Sequence, residues 1–431
     1  MNILITNFHS IKNKGDLGIV LGLIGGLKAV NRRFRFSVIG RNINDRGWWE
    51  SSGVEFFLPL LDLPKFNQGK WFYSLTNKAG AIFFFGKYYI SLALLNFPRL
   101  AYWYYSGSGE ALKTLDAYKK CDVIISKGGS FFREPECRIN ILPVGIMSHL
   151  HQLIVGAKFK KNVILSAQSF GPINNLYSKF IMRRAMRRFP LITVRETDSM
   201  SFLKNQLSLY KNVILTGDSA FLLKMSDEGS GKNKAFYGAI EDKKNGHICV
   251  GLTVRSWSKK KDFQVYISSL ISFINEYTLR GFRFYLMPQS VGPSFSEDDR
   301  IISKKIYNAL DDNAKARVRI IEDELEMDDL LRLYSKMDYF IATRLHSSIF
   351  ALLGGVSVMA IGYEPKTAGI FKDLDLSQLI LDIRRFSPEI LRDAFENLIN
   401  TPKLTFLSAR SKAIMLSKKN IEVILNIINI N

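Results

Sequence analysis

His346, Arg344 and Lys366 are the residues of this chain whose types and spacing most readily support chemistry. They lie in the stretch MDYFIATRLHSSIFALLGGVSVMAIGYEPKTAG, residues 337–369. Arg344 and His346 fall in a turn after a strand-like run, Tyr339 to Ala342, and before a small-residue helix ending at Gly354 and Gly355. A second apolar run, Val356 to Ile361, leads into Tyr363, Pro365 and Lys366. In a β-α-β unit this order sets His346 at a helix N-terminus and Lys366 just past the next strand. Both then open on one edge of a parallel sheet, where such folds bind ligands. Two cations, an imidazole and a helix dipole suit an anionic substrate and proton transfer. Only five histidines occur, and a lone histidine is more often a cap or core residue than a catalyst. Arg344 and Lys366 weigh against that plainer role. Two nearby cations would leave the imidazole a neutral base, whereas a bound anion would keep it protonated as an acid. The sequence leaves both states open. On composition alone Lys366 reads as a solvated lysine; its place after a predicted strand is the one internal reason to single it out.

Other candidates sit at the same kind of position. Arg195 closes the strand LITVR and Arg255 closes GLTVR. Each reads either as an anion ligand or as the partner of a nearby carboxylate, Glu196 or Asp198 in the case of Arg195. Gly15-Asp16, Gly128-Gly129 and Gly171-Pro172 are tight turns at predicted strand ends, where backbone N–H groups can approach a ligand closely. Asp16 is expected to cap the helix that follows it.

These positions imply the elements that hold them. Strands are predicted at 2–8, 34–40, 122–126, 162–169, 191–195 and 212–223, with helices between them. A second alternating set runs from HICVGLTVR through FRFYLMPQ and RVRIIED to the stretch at 337–369. Alternation on this scale means α/β with parallel sheets. The polar, glycine-rich segment SDEGSGKNKAFYGAIEDKKNG is the best linker candidate. We therefore expect an N-terminal Rossmann-like domain over 1–228, a linker over 229–246 and a C-terminal Rossmann-like domain over 247–406. A last helix over 407–431 is expected to return to the first domain. Two such domains facing a cleft is the predicted architecture. Residues of about 44–120 form an aromatic-rich insertion. Within it, 81–105 reads as a buried helix pair or subunit contact, or as an amphipathic surface with Lys87 and Arg99 at lipid headgroups. The acidic run EDELEMDD at 322–329 reads as a solvated helix start.

Composition narrows the partners. The chain has 431 residues and a net charge of +21, from 60 basic against 39 acidic residues. Such a balance fits nucleic acid, an anionic membrane surface or phosphorylated substrates. No nucleic-acid motif accompanies it, so nucleic acid is not expected as a partner. Three widely spaced cysteines suggest neither a disulfide framework nor a metal site, and a reducing cytoplasm is expected. MNILITNF reads as a first strand rather than a secretion signal, and no apolar run reaches the ~18 residues of a membrane span. No P-loop, nucleophile elbow or H-E-x-x-H motif is present, and His149 and His151 fall on different faces of one predicted helix. Neither a metal nor a bound cofactor is expected.

The ordered motifs resemble the polysaccharide pyruvyl transferase family from NKGDLG to about Leu376. They appear as DVIISKGGSFF, Gln168-Ser169-Phe170-Gly171-Pro172, Arg195-Glu196-Thr197-Asp198-Ser199, Asp218-Ser219-Ala220-Phe221, Pro288-Gln289, and Asp338 with Arg344-Leu345-His346, Tyr363 and Lys366. Leu17 departs from the acidic residue the family often carries after the first Gly-Asp. The resemblance implies a glycosyltransferase-B-like fold and transfer of the pyruvyl group of phosphoenolpyruvate to two sugar hydroxyls as a cyclic ketal. It implies Arg195, His346 and Lys366 as the catalytic set. Arg344, Asp16, Gly15, Gly128, Gly129, Gln168, Gly171, Arg255, Gln289 and Tyr363 are then the expected substrate-binding residues. Phosphoenolpyruvate enters as a co-substrate. The expected acceptor is a surface-polysaccharide precursor on a polyprenyl diphosphate lipid, met at the inner leaflet by a cytoplasmic, peripherally bound protein. The number of subunits is open. Two rival readings remain: a nucleotide-sugar glycosyltransferase of the same fold, and a non-catalytic membrane-associated scaffold.

Overall fold

β-branched and aromatic runs supply the interior strands, which are largely buried on both faces as parallel sheets require. A computed structural model describes the chain except for residues 63–74, 135–142, 227–233, 257–259, 363–364 and 429–431. Two units divide it. The first comprises Met1–Ser10, Leu23–Asp218 and Lys418–Asn431, and the second Ile11–Gly22 and Ser219–Ser417.

The first unit holds an eight-stranded sheet of β1 (Asn2–Phe8), β2 (Arg35–Gly40), β3 (Glu55–Phe57), β4 (Val123–Ser126), β5 (Gly129–Phe132), β6 (Asn162–Phe170), β7 (Leu191–Val194) and β8 (Val213–Leu215). Its order is β3-β2-β1-β4-β6-β7-β8, with β5 paired to β6, and every pairing is parallel. The order reverses between β1 and β4, the place where open α/β sheets bind ligands. The strand expected over 212–223 shortens to β8, because Ser219–Leu222 turns into a 3-10 helix.

The second unit holds β9 (Cys249–Thr253), β10 (Arg283–Leu286), β11 (Val318–Ile320), β12 (Tyr339–Ala342), β13 (Ser357–Gly362) and β14 (Ile380–Asp382). They form a six-stranded parallel sheet in the order β11-β10-β9-β12-β13-β14.

The segment expected as a linker contains the helix Lys234–Lys244, part of the second unit. Its charged outer face made it read as a loop. Its inner face is held by Asp242, which accepts from the Tyr285 hydroxyl at 2.5 Å and lies 3.4 Å from Arg283 Nε. The C-terminal helix, Lys403–Ile428, ends in the first unit. There Asn420 accepts from Thr193 Oγ1 at 2.6 Å and donates to Ser166 Oγ at 2.9 Å.

The aromatic segment forms the helices Leu75–Leu94 and Pro98–Tyr105. One face is buried, as one reading expected, and the other is exposed. Phe84, Tyr88, Leu95 and Ala101 join the core, while Ile82, Phe83, Phe97 and Trp103 are exposed. No helix among the described residues is long and apolar enough to cross a membrane.

Candidate functional site

In the second unit the site grows from the carboxyl ends of neighbouring strands. Gln289 follows β10, Arg255 follows β9, Arg344 and His346 follow β12, and Lys366 follows β13. Arg344 is the N-cap residue of the helix Leu345–Leu353, in extended conformation, so His346 sits in the first turn of that helix. The unpaired N–H groups of a first turn and the positive end of the helix dipole favour an anion there. Arg344 Nη2 donates to Asp299 Oδ1 at 2.6 Å, and Asp299 Oδ2 accepts from the backbone N–H groups of Gln289 at 3.1 Å and Ser290 at 2.9 Å. Burial pushes the Asp299 carboxyl above the usual carboxylate range, against the pull of Arg344 and these two N–H groups. The pair fixes the guanidinium at the start of the helix that carries His346.

The loop of residues 11–16 completes this site. Asn13 and Ser290 form an antiparallel bridge, with Lys14 N donating to Gln289 O at 3.0 Å and Val291 N to Lys12 O at 3.0 Å. Asn13 Oδ1 accepts from Gly15 N at 3.1 Å and Asp16 N at 3.3 Å. Asn13, not Asp16, therefore caps the helix Lys14–Val30, an interaction that contributes about 1 kcal/mol. The helix begins one turn earlier than the sequence suggests, and Asp16 falls inside its first turn. Gly15 then lies directly against His346: a Cβ at Gly15 would stand 2.5 Å from His346 Nδ1. Lys12 and Lys14 both pair with Glu324, the latter at 3.4 Å. Burial acts to raise the Glu324 carboxyl, but the two lysines outweigh it and hold it below its ordinary range.

Gln289 is 1% exposed, and its Oε1 accepts from Tyr334 OH and Ser347 Oγ, each at 3.1 Å. It braces the first turn of the His346 helix from beneath. Lys366 is the second residue of the helix Pro365–Asp373 and is half-buried. Because β12 and β13 pair in parallel, with Ala342 opposite Ala360, Lys366 emerges on the same sheet edge as His346. Tyr363 lies outside the described residues.

In the first unit, Arg195 is enclosed rather than presented. Its side chain is 1% exposed, its Nε donates to Ser169 Oγ at 2.7 Å, and its Nη1 pairs with Asp218. Glu196 Oε2 lies 3.7 Å away and accepts from Ser169 Oγ at 2.9 Å, while its other oxygen accepts from Ser199 Oγ. Ser199 Oγ in turn accepts from Phe170 N at 2.7 Å. One buried network thus ties together the ends of β6 and β7 and the segment after β8. Gln168 is fully buried, and its Nε2 donates to Gly129 O at 2.5 Å, which helps hold β5 to β6. Gly129 (φ +143) and Gly171 (φ +76) take conformations that favour glycine. No cluster of three or more His, Cys, Asp or Glu suited to a metal occurs among the described residues.

Residues 13–365 match a family model, polysaccharide pyruvyl transferase. The chain belongs to the polysaccharide pyruvyl transferase family. It is similar to the amylovoran biosynthesis protein AmsJ of Erwinia amylovora, with 24% identity over 400 residues that cover 89% of this chain and 88% of that one. Among solved structures it is similar to a UDP-bound MnaA of S. aureus, at TM-score 0.58 and 12% identity over 99% of this chain and 95% of that one. It is also similar to the UDP-GlcNAc 2-epimerase of Methanocaldococcus jannaschii, at TM-score 0.58 and 14% identity over the full length of both. At such identities the likeness is one of fold, and the fold is glycosyltransferase-B-like, with two Rossmann-like parallel-sheet domains. The family matches the resemblance carried by the motifs, and the chain is a transferase of that family.

Three members of this site were not singled out from sequence. Asp299 and Lys14 carry no local signal, and Glu324 lay in an acidic run that read as solvated. Glu324 reaches Lys12 across 312 positions of chain.

Proposed function

We propose that this pyruvyl transferase moves the pyruvyl group of phosphoenolpyruvate onto two hydroxyls of a surface-polysaccharide precursor as a cyclic ketal, with His346 as the proton donor. The observation that carries this reading is the placement of His346. It stands in the first turn of a helix, packed on the Gly15 backbone, and the N-cap residue of that helix, Arg344, is paired with Asp299. A carboxylate or phosphate of the co-substrate suits the helix N-terminus, with Arg344 and Lys366 as cationic partners. His346 then delivers a proton to the methylene carbon of the enol. The carbon bearing the phosphate becomes electrophilic, one sugar hydroxyl adds to it, phosphate leaves, and the second hydroxyl closes the ring. Of the two hydroxyl protons, one replaces the proton on His346 and the other leaves with phosphate, so no redox partner is required. Arg195 serves this reading as a positioning residue that sets the strand ends of the first unit. The acceptor is read as lipid-linked, in keeping with the +21 charge and the exposed aromatic helices.

The test is release of inorganic phosphate from phosphoenolpyruvate across a panel of lipid-linked and free glycans. Phosphate release that depends on one acceptor and is lost in His346→Gln is expected. Thermal protection by a nucleotide sugar in place of phosphoenolpyruvate, with no phosphate released on any acceptor, would favour a glycosyltransferase and overturn this reading.

A further inference from the structure

In the first unit, the helix Leu176–Met186 changes character along one stripe. Its N-terminal end is held by Glu134, which accepts from Asn174 N at 2.8 Å, Asn175 N at 3.1 Å and Ser178 Oγ at 3.0 Å. Leu176, Phe180, Arg183 and Arg187 follow at helical spacing and share one face. Leu176 is 80% and Phe180 60% exposed. Arg184 and Arg188 flank the same C-terminal end, and all four arginines are exposed. At helical rise the stripe runs about 16 Å from Leu176 to Arg187, apolar first and cationic last.

Arginines in the last turn complement the helix dipole, but Arg183 and Arg187 are also like charges four residues apart, which repel. Among the described residues no carboxylate pairs with any of the four arginines. Lys179, on the same helix, donates instead to Gln206 Oε1 at 2.8 Å. With Phe180 the four arginines bound a concavity of about 530 Å³, a volume ordinary for a small-ligand site. Their guanidinium forks offer paired donors to a group with several anionic oxygens. The apolar half of the stripe is extended by a neighbour. The hydroxyls of Tyr177 and Tyr89 are hydrogen-bonded, which sets this helix beside Leu75–Leu94, where Ile82, Phe83 and Ile90 are exposed.

We propose that this stripe binds the prenyl diphosphate that carries the acceptor glycan, with the four arginines on the diphosphate and Phe180 and Leu176 on the first isoprene units. A ligand matched to the stripe has a polyanionic head and an apolar chain, in that order. Phosphoenolpyruvate has no such chain, and a bilayer phosphodiester carries a single negative charge on its phosphate. The proposal rests on the reading of the acceptor as lipid-linked, and not on the ketal chemistry or on His346.

The experiment is calorimetric titration of the full chain with farnesyl diphosphate, kept below its micelle-forming concentration, with inorganic pyrophosphate and farnesol in separate runs. Saturable binding of farnesyl diphosphate is expected, with pyrophosphate weaker and farnesol weaker still. Arg184→Gln with Arg187→Gln should weaken farnesyl diphosphate roughly tenfold to a hundredfold. Phe180→Ala should weaken it roughly tenfold and leave pyrophosphate unchanged. His346→Gln should bind it as the wild type does. The arginines and Phe180 are exposed, so these variants are expected to fold normally, and unchanged melting temperatures check this. No saturable binding by the wild-type chain, unchanged binding in the double arginine variant, or loss of binding in His346→Gln would overturn the proposal. Phosphatidylglycerol vesicles bound through the arginines, with no binding of farnesyl diphosphate, would assign the stripe to a general anionic surface instead. Because the titration needs neither phosphoenolpyruvate nor turnover, its failure is distinguishable from failure of the pyruvyl-transfer reading, which phosphate release reports.

Discussion

Gly15 and His346 are in contact, with the position of a Cβ on Gly15 falling 2.5 Å from His346 Nδ1, 2.7 Å from its Cγ and 2.8 Å from its Cβ. No side chain fits between them. Any residue but glycine at position 15 has to push the imidazole away, and the imidazole root can move only with its own helix. Gly15→Ala is therefore expected to lower kcat for phosphate release by about 10²–10³-fold, since general acid catalysis depends on sub-ångström placement. Its cost in stability should stay below about 3 kcal/mol, as for other overpacked sites. The double variant with His346→Gln should be little worse than His346→Gln alone. Full activity in Gly15→Ala would remove His346 from the reaction.

Arg195 calls for the opposite balance of effects. Its guanidinium is buried with Asp218 and Glu196, so removing the charge strands two carboxylates in the interior. Arg195→Met is expected to cost about 3–5 kcal/mol in urea denaturation. Adding Asp218→Asn should restore part of that. For the folded fraction, KM for phosphoenolpyruvate should change little. A stable Arg195→Met protein with KM raised about a hundredfold would make Arg195 a ligand instead.

Acid should weaken the first unit through His151. This residue is fully buried, its Nε2 lies 2.8 Å from Ser91 Oγ, and burial pushes its imidazole from 6.5 down to about 3. The folded state thus holds the neutral ring while the unfolded chain takes up the proton. The stabilising effect is complete above the unfolded value of 6.5 and is lost as pH falls toward about 3. By pH 5 the loss should be about 2 kcal/mol. His151→Gln, which can keep the bond to Ser91, should lose correspondingly less stability between pH 7.5 and pH 5. Equal pH dependence of the two urea midpoints would contradict this assignment.

The parts of the site that the sequence made legible are those written locally. The run Tyr339–Ala342 coincides with β12, and Arg344-Leu345-His346 enters a helix of small and apolar residues as expected. The parts that were not legible depend on contacts distant in sequence. Asp16 carried the local signature of a cap, but the Asn13–Ser290 bridge set the helix start one turn earlier and gave the cap to Asn13. Arg195 ended a strand just as Arg344 did. Its environment, however, was decided by Asp218, 23 positions on, which turned a candidate ligand into an enclosed ion pair. The helix Lys234–Lys244 was hidden because only one narrow face is apolar and its anchor, Asp242, is polar. β3 and β14 are three residues each, too short for a periodicity to register.

The aromatic helices lead to a prediction about lipid. Phe83 on the helix Leu75–Leu94 is 64% exposed, Phe97 at the N-cap of the helix Pro98–Tyr105 is 61% exposed, and Trp103 on that second helix is 73% exposed. The Tyr89 and Tyr177 hydroxyls are hydrogen-bonded, which sets the helix Leu176–Met186 beside the first of these. That neighbour and the residues just after it expose Arg183, Arg184, Arg187 and Arg188 around Phe180. Lys87 lies 4.5 Å above the Phe83 ring, a cation on the same apolar surface. Exposed aromatic groups bordered by arginines match the acyl boundary and headgroups of an anionic bilayer. The protein is expected to sediment with vesicles containing phosphatidylglycerol and far less with phosphatidylcholine alone. Each arginine near the surface contributes about 1 kcal/mol, so Arg183→Gln with Arg187→Gln should weaken binding roughly thirtyfold. Trp103→Ala should weaken it independently of salt, whereas the arginine effect should fade as salt rises. Concentration-dependent dimerisation abolished by Trp103→Ala, with no vesicle binding, would assign the face to a second copy of the chain instead.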